Sequence, residues 1–242
     1  MLIKEFTEKP SSDYSLSHAV VFHDELNPKL FDSNGQMHSN IRKGLLDIAE
    51  HFQEFIGVKL NLEDITVSGS NAAYSYTPYS DLDLHLVVRV PKDDLTFKEL
   101  LDAKKNVYNA QHDIQVKGID VELYAQDAEQ PHVSQGIYSI LNDQWISRPE
   151  RVEMDIDQSD VRDKYRNYRD RIRAVISLDD LDQAKEMWND IKRMRKAGLS
   201  RAGEFGAENL AYKMLRNQGW IEKLQLHIRQ LEDQELSIEQ RI

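Results

Sequence analysis

From Asp81 to Leu86 the chain alternates without interruption, Asp-Leu-Asp-Leu-His-Leu, and runs on through Val87-Val88-Arg89-Val90 to Pro91. A period of two predicts a β-strand, because successive side chains of a strand point to opposite faces. The leucines call for a core on one side. Asp81, Asp83 and His85 collect on the other, each Cα about 6.6 Å from the next at ~3.3 Å per residue. Whatever else the chain does, it must build a sheet with one buried face and one acidic face.

Further elements for such a sheet flank this strand. Ile65-Thr66-Val67-Ser68 predicts a short strand ending in Gly69-Ser70, and a polar, tyrosine-rich loop fills the ten residues to Asp81. Residues 114–124 predict a third strand, in which Ile119, Val121 and Leu123 alternate with Gly118, Asp120 and Glu122. Residues 137–146 predict a hairpin turning at Asn142-Asp143. Ile41, Leu45, Ile48, Ala49, Phe52, Phe55 and Ile56 recur at three and four, which predicts an amphipathic helix capped by Ser39 or Asn40 and stopped by Gly57. Thr96 and Glu99 form a capping box for a second helix that buries Leu100, Leu101, Val107 and Tyr108. Residues 1–38, with Pro10, Asn27-Pro28 and Ser33-Asn34-Gly35, read as an irregular arm lying over the domain that follows.

Beyond Pro149 the periodicity is helical throughout. Val161, Tyr165, Tyr168, Ile172 and Val175 follow a Ser159 cap; Leu181, Ala184, Met187 (or Trp188), Ile191 and Met194 follow a Ser177 cap. Two more helices, around residues 204–217 and 221–236, are divided by Gly219. The expected class is α+β: an arm over 1–38, a small mixed sheet flanked by helices over 39–150, and an all-helical domain over 151–242.

Composition narrows the function. Of 242 residues 40% are hydrophobic and 30% charged, a composition too apolar for a disordered chain. No window approaches the ~18 apolar residues of a membrane span, and Met1-Leu2-Ile3-Lys4-Glu5-Phe6 meets charge too early for a secretory signal. Without cysteine there is neither a disulfide framework nor a thiolate site, so the expected compartment is the cytoplasm. The net charge of −11 is uneven: residues 1–130 hold 12 basic and 22 acidic side chains, residues 131–242 hold 19 and 20. Affinity for duplex nucleic acid comes largely from Lys and Arg releasing counterions, so this balance argues against a duplex DNA partner.

The acidic face carries the chemistry. Two carboxylates on one face are costly unless a cation neutralises them, and hard oxygen ligands suit Mg²⁺ or Mn²⁺. A two-ion site needs a third carboxylate as well, and Asp120 and Glu122 on the next strand are both candidates. Gly69 permits close backbone approach to a phosphate, while Ser70 Oγ and the N–H groups of the turn can donate to it. Asn71, Tyr74, Tyr76 and Tyr79 either touch a nucleotide or pack the loop. Such parts suit phosphoryl or nucleotidyl transfer, which rests on positioning and charge neutralisation.

Val67-Ser68-Gly69-Ser70, ten intervening residues and Asp81-Leu82-Asp83-Leu84 resemble the signature of the DNA polymerase β-like nucleotidyltransferase superfamily. That signature places a hydrophobic residue before the glycine, where this chain has Ser68. Asn27-Pro28 ahead of the first helix and Val121-Glu122-Leu123-Tyr124 after it are similar to nucleotidyltransferase-like proteins of bacteriophages, over most of residues 25–225. The likeness to Val-Glu-Leu-Tyr favours Glu122 over Asp120 as third carboxylate. The resemblance implies a nucleotidyltransferase-like sheet and transfer of a nucleoside monophosphate from an NTP to an acceptor hydroxyl. It implies two Mg²⁺ (or Mn²⁺) ions on Asp81, Asp83 and Glu122, with Gly69, Ser70, Asn71 and Ser80 around the nucleotide. For a phage-encoded chain the compartment is the host cytoplasm. Residues 208–217 are similar to a recurring segment of the phage-type proteins, and Lys213 within them is a candidate triphosphate contact. The acidic first half favours a small-molecule or protein acceptor over RNA. The run Lys192, Arg193, Arg195, Lys196 and Arg201 keeps an RNA end in view, though a solvated helix face explains it as well. A non-catalytic nucleotide-binding or protein-interaction module on the same fold is the alternative.

Overall fold

The computed structural model describes residues 15–91, 94–131, 134–152 and 154–237. They divide into a sheet unit, over 21–152, and a helical unit that joins 15–20 to 154–237. The sheet unit contains α1 (Ser39–Ile56), β1 (Leu62–Ser68), β2 (Leu82–Val88), α2 (Leu95–Gln111), β3 (Gln115–Val116), β4 (Ile119–Asp127), β5 (Ile137–Ser139) and β6 (Gln144–Ser147). Its six strands form one mixed sheet in the order β3-β4-β2-β1-β5-β6. β2 and β4 are parallel, joined by α2 as the crossover; the other pairs are antiparallel.

The alternation of β2 sets its two faces: Leu82, Leu84, Leu86 and Val88 have no solvent exposure, whereas Asp83, His85 and Val87 are half-buried. Ile41, Leu45, Ala49, Phe52 and Ile56 of α1 belong to the same apolar core, and Gly57 ends that helix at φ 76°. Neither Ser39 nor Asn40 caps α1; both lie in its first turn, and His38 holds the capping position. At α2 the Thr96–Glu99 box is replaced by Asp94, whose carboxylate accepts from the Phe97 N–H. α2 buries Leu101 and Tyr108, leaves Leu100 half-buried, and exposes Val107 at 45%. The helix also bonds to the sheet: the Asn109 amide donates to Leu123 O at 2.9 Å and its oxygen accepts from Leu123 N at 3.1 Å. A side chain thus bonds backbone of β4 beyond the short stretch that β3 covers.

The third strand differs from the single run over 114–124. Lys117 (φ 54°) and Gly118 (φ 74°) are both left-handed, the conformation of a two-residue hairpin turn, so β3 folds back on the start of β4. Asp143 (φ 54°) lies between β5 and β6 as the Asn142-Asp143 turn requires. The arm is not a separate cover. Leu26, Leu30, Phe31 and Met37 are buried in the core, Phe31 stacks on Trp145 at 5.1 Å, and Trp145 Nε1 donates to Gly35 O at 2.7 Å. Residues 15–20 instead belong to the helical unit, where Asn217 Nδ2 donates to His18 O at 2.5 Å.

The helical unit contains α3 (Gln158–Ile176), α4 (Leu181–Ala202), α5 (Ala207–Asn217) and α6 (Trp220–Leu236). Carboxylates displace the anticipated serine caps: Asp157 accepts from the N–H groups of Ser159 and Asp160, and Asp180 accepts from Gln183 N–H. Met187, not Trp188, is the buried residue of that turn of α4. α5 starts at Ala207, so Glu204 lies outside it; from Glu208 to Leu215 every residue but Lys213 is buried, as befits a helix packed all round. Among the described residues no helix is long and apolar enough to cross a membrane.

Replacing Asn109 with Ala leaves both polar groups of Leu123 without that partner. A loss of about 2–3 kcal/mol is expected at ~1–3 kcal/mol for each buried group left unbonded. Urea unfolding of Asn109→Ala beside the native chain measures it, and Asn109→Asp, which retains an acceptor, should lose less.

Candidate active site

The acidic face is assembled by strand register. Asp83 of β2 lies opposite Ser68 on β1 and opposite Glu122 on β4, so the three residues share one face across adjacent strands, spaced about 4.8 Å apart. Asp120 goes elsewhere: it is exposed, paired across the hairpin with Gln115, whose Nε2 donates to its carboxylate at 2.7 Å. Glu122 is therefore the β4 carboxylate beside Asp83. Asp81 joins from the end of the loop. All three charges bear on the Tyr124 phenol: burial first, then the charges of Glu122 and Asp83, push it well above the usual tyrosine range.

Gly69 closes the site from β1. Its φ of 76° and ψ of −165° belong to a region that side-chain-bearing residues avoid. A Cβ here would also lie 2.0 Å from Asp83 Oδ2. Asp83 is therefore packed against the bare Cα of Gly69, and both backbone shape and space require glycine. The Gly69 N–H donates to Ser134 Oγ at 3.1 Å, so it is engaged within the protein.

The other loop candidates hold the loop together. Asn71, 1% exposed, donates through Nδ2 to Ser80 O and Asp81 O and accepts at Oδ1 from Asn27 Nδ2. Its amide ties the two ends of the loop. Ser80 Oγ accepts from Ser70 Oγ at 2.8 Å and from Thr77 N–H at 2.9 Å, so both hydroxyls brace the turn. Tyr76 stacks on His23 at 3.8 Å, which favours packing for this tyrosine too. Lys213 belongs to the helical unit, where Glu204 lies 3.8 Å from its Nζ.

His85 is built into the face. Its Nε2 lies 3.2 Å from Ser68 Oγ and its ring stacks on Tyr124 at 4.7 Å. The polar Ser68 in the place of a hydrophobic residue is thereby explained, since it meets an imidazole. Two residues of the face escape a reading of the sequence: Tyr124, and Lys105 of α2, whose Nζ sits 5.3 Å from the Tyr124 ring centre. Tyr124 continues the alternation from Glu122 and was open to detection. Lys105, also 3.9 Å from Asp102 on its own helix, is brought to Tyr124 by the tertiary placement of α2.

The donor set is chemically suited to a hard divalent ion, with carboxylate oxygens on one face and no soft ligand among them. Among the described residues no three His, Asp or Glu side chains stand close enough together to hold an ion. Asp81, Asp83 and Glu122 would thus have to draw inward around one. Comparison with protein-family models, curated proteins and solved structures finds no match.

Gly69→Ala should destabilise the sheet unit by more than ~1–3 kcal/mol, the scale of backbone strain alone, because the Asp83 contact adds to it. Pairing it with Asp83→Ala removes the clash but not the strain, so thermal denaturation should show only partial recovery. For Tyr124 the folded pKa exceeds the unfolded ~10, so the folded state retains the proton longer and stability falls as pH rises above about 10. Urea midpoints from pH 8 to 11 should fall less steeply in Tyr124→Phe.

Proposed function

We propose that this protein is a divalent-metal-dependent nucleotidyltransferase that moves a nucleoside monophosphate from an NTP to an acceptor hydroxyl. The observation that carries the reading is Asp83, between Gly69 just past the end of β1 and Glu122 on β4, with Asp81 two residues away. The signature resemblance places its glycine and its carboxylates at these same positions. Asp81, Asp83 and Glu122 would hold Mg²⁺ or Mn²⁺, two ions in all. When bound, the ions would neutralise charge on the phosphates and make the acceptor oxygen more nucleophilic.

The protein groups then have defined roles. Gly69 lets the chain approach the phosphates, and Ser70 turns its hydroxyl from Ser80 towards them. A carboxylate oxygen of the acidic face takes the acceptor's proton as its oxygen attacks the α-phosphorus in line. The new O–P bond forms, the bond to the β-phosphate's bridging oxygen breaks, and pyrophosphate leaves. Tyr124, stacked on His85, stands beside the carboxylates as a neutral phenol. Lys105 adds a positive charge beside Tyr124. The acidity of residues 1–130 favours a small molecule or a protein as acceptor, with an RNA end less favoured and duplex DNA disfavoured.

A second reading, a non-catalytic nucleotide-binding or protein-interaction module, draws on the spacing of the carboxylates and the mutual engagement of Ser70 and Ser80. The two readings part on metal-dependent chemistry. Incubation with each α-³²P NTP and Mg²⁺ or Mn²⁺, with the protein alone, total RNA or a protein extract, should yield labelled acceptor and pyrophosphate. Asp83→Asn should lower the rate at least about a hundredfold, the scale of removing one electrostatic stabiliser, and chelation of the metal should abolish it. Metal-independent nucleotide binding with neither label nor pyrophosphate would favour the module.

A further inference from the structure

Away from the acidic face, on the packed pair of helices α1 and α2, two histidines meet beside a buried tyrosine. His51 lies on α1 and His112 follows the last turn of α2; both are exposed. Their ring centres are 5.5 Å apart, and His112 lies 4.3 Å from the ring of Tyr108. His51 Nδ1 is 2.7 Å from the Tyr108 hydroxyl. Tyr108 itself is 1% exposed, and burial raises its phenol pKa, which keeps the hydroxyl protonated and its oxygen a neutral acceptor.

We propose that His51 and His112 form a two-imidazole binding site for a borderline divalent transition ion such as Zn²⁺ or Ni²⁺, with Tyr108 orienting His51. The spacing carries the proposal. Metal–nitrogen bonds of ~2.0–2.1 Å put each ring centre roughly 3.2 Å from the ion, hence about 5.2 Å between centres at a tetrahedral angle. The observed separation is 5.5 Å. Tyr108 supplies the outer partner that such histidines use: with the proton on Nδ1, His51 donates to the phenol oxygen and presents the Nε2 lone pair to the ion. Among the described residues no third His, Asp or Glu completes a cluster, so water fills the remaining positions.

The chemistry also separates this site from the acidic face. Imidazole nitrogen suits Zn²⁺, Ni²⁺ and Cu²⁺, whereas Mg²⁺ prefers oxygen and retains its waters. Bound metal would join α1 to α2 and stabilise the folded sheet unit, since an ion that binds the native state raises the melting temperature. Such a site is independent of any nucleotidyl transfer.

The test is titration of the full chain with Zn²⁺ in excess Mg²⁺, followed by calorimetry and thermal melting. One Zn²⁺ should bind saturably and raise the melting temperature. His51→Ala or His112→Ala should each weaken binding at least tenfold and remove the thermal shift; Tyr108→Phe should weaken it about tenfold, the lower end of the range for outer partners. Binding of equal strength in the double histidine variant, or no saturable binding in the native chain, overturns the proposal. X-ray absorption of the Zn²⁺-loaded native chain needs no variant: two imidazoles support the site, and one or none refutes it.

Discussion

The parallel pairing of β2 with β4 is the constraint from which the rest of the sheet unit follows. β2 buries Leu82, Leu84, Leu86 and Val88 completely, and β4 buries Ile119 and Leu123. Truncating one such leucine typically costs ~2–5 kcal/mol, so a slip of one residue, which would exchange the faces, is prohibitive. Once the leucines choose the core face, Asp83 and Glu122 must meet on the other. Parallel neighbours also need a crossover, and α2 provides it while its Asn109 bonds to the backbone of β4. The acidic face is thus a consequence of how the core packs.

What could be read from the amino acids depended on contrast between faces. β2 and α1 were readable because apolar and polar residues alternate at one clear period, and Gly57 marks a stop. The helix caps were harder, since Asp94 and Thr96, or Asp157 and Ser159, are close in sequence and each able to accept an N–H; tertiary placement chooses between them. Leu26, Leu30, Phe31 and Met37 show no period, so a segment that supplies core side chains reads as a loose arm. At Lys117-Gly118 the alternation continues through residues that form a turn, which hid the hairpin.

The same limit applies to the site. Gly69 and Asp83 are marked by local spacing, and the pairing of β1 with β2 brings them against each other. Asp120 and Glu122 share a parity, so only the pairing of β4 with β2 distinguishes them. Polar loop residues such as Asn71 and Ser80 serve either purpose in a sequence; the structure adds that both bond within the loop. In the helical unit the basic run proved to have internal uses as well. Arg201 and Lys164 approach the buried Glu208, and Arg195 stacks on Tyr212 at 4.3 Å. Gly198 makes room for this, since a Cβ there would lie 2.4 Å from Glu208 Cβ. A pairing across three helices leaves no trace in a local charge count.

On the acidic face, contacts run from strand to strand. Ser68 on β1 meets His85 on β2, His85 stacks on Tyr124 of β4, and the charge of Glu122 bears on the Tyr124 phenol. The chain of contacts starts at the residue before Gly69, the glycine that fixes how closely the backbone approaches Asp83. Asp83 is thereby packed against backbone whose own place is set by the sheet. Like charges gathered on one face oppose folding, and the unit offsets that cost with the buried leucines on the reverse of the same strand. A cation drawn to that face would relieve the repulsion without moving the strands, because the register that creates the acidic cluster is held from the opposite side of the sheet.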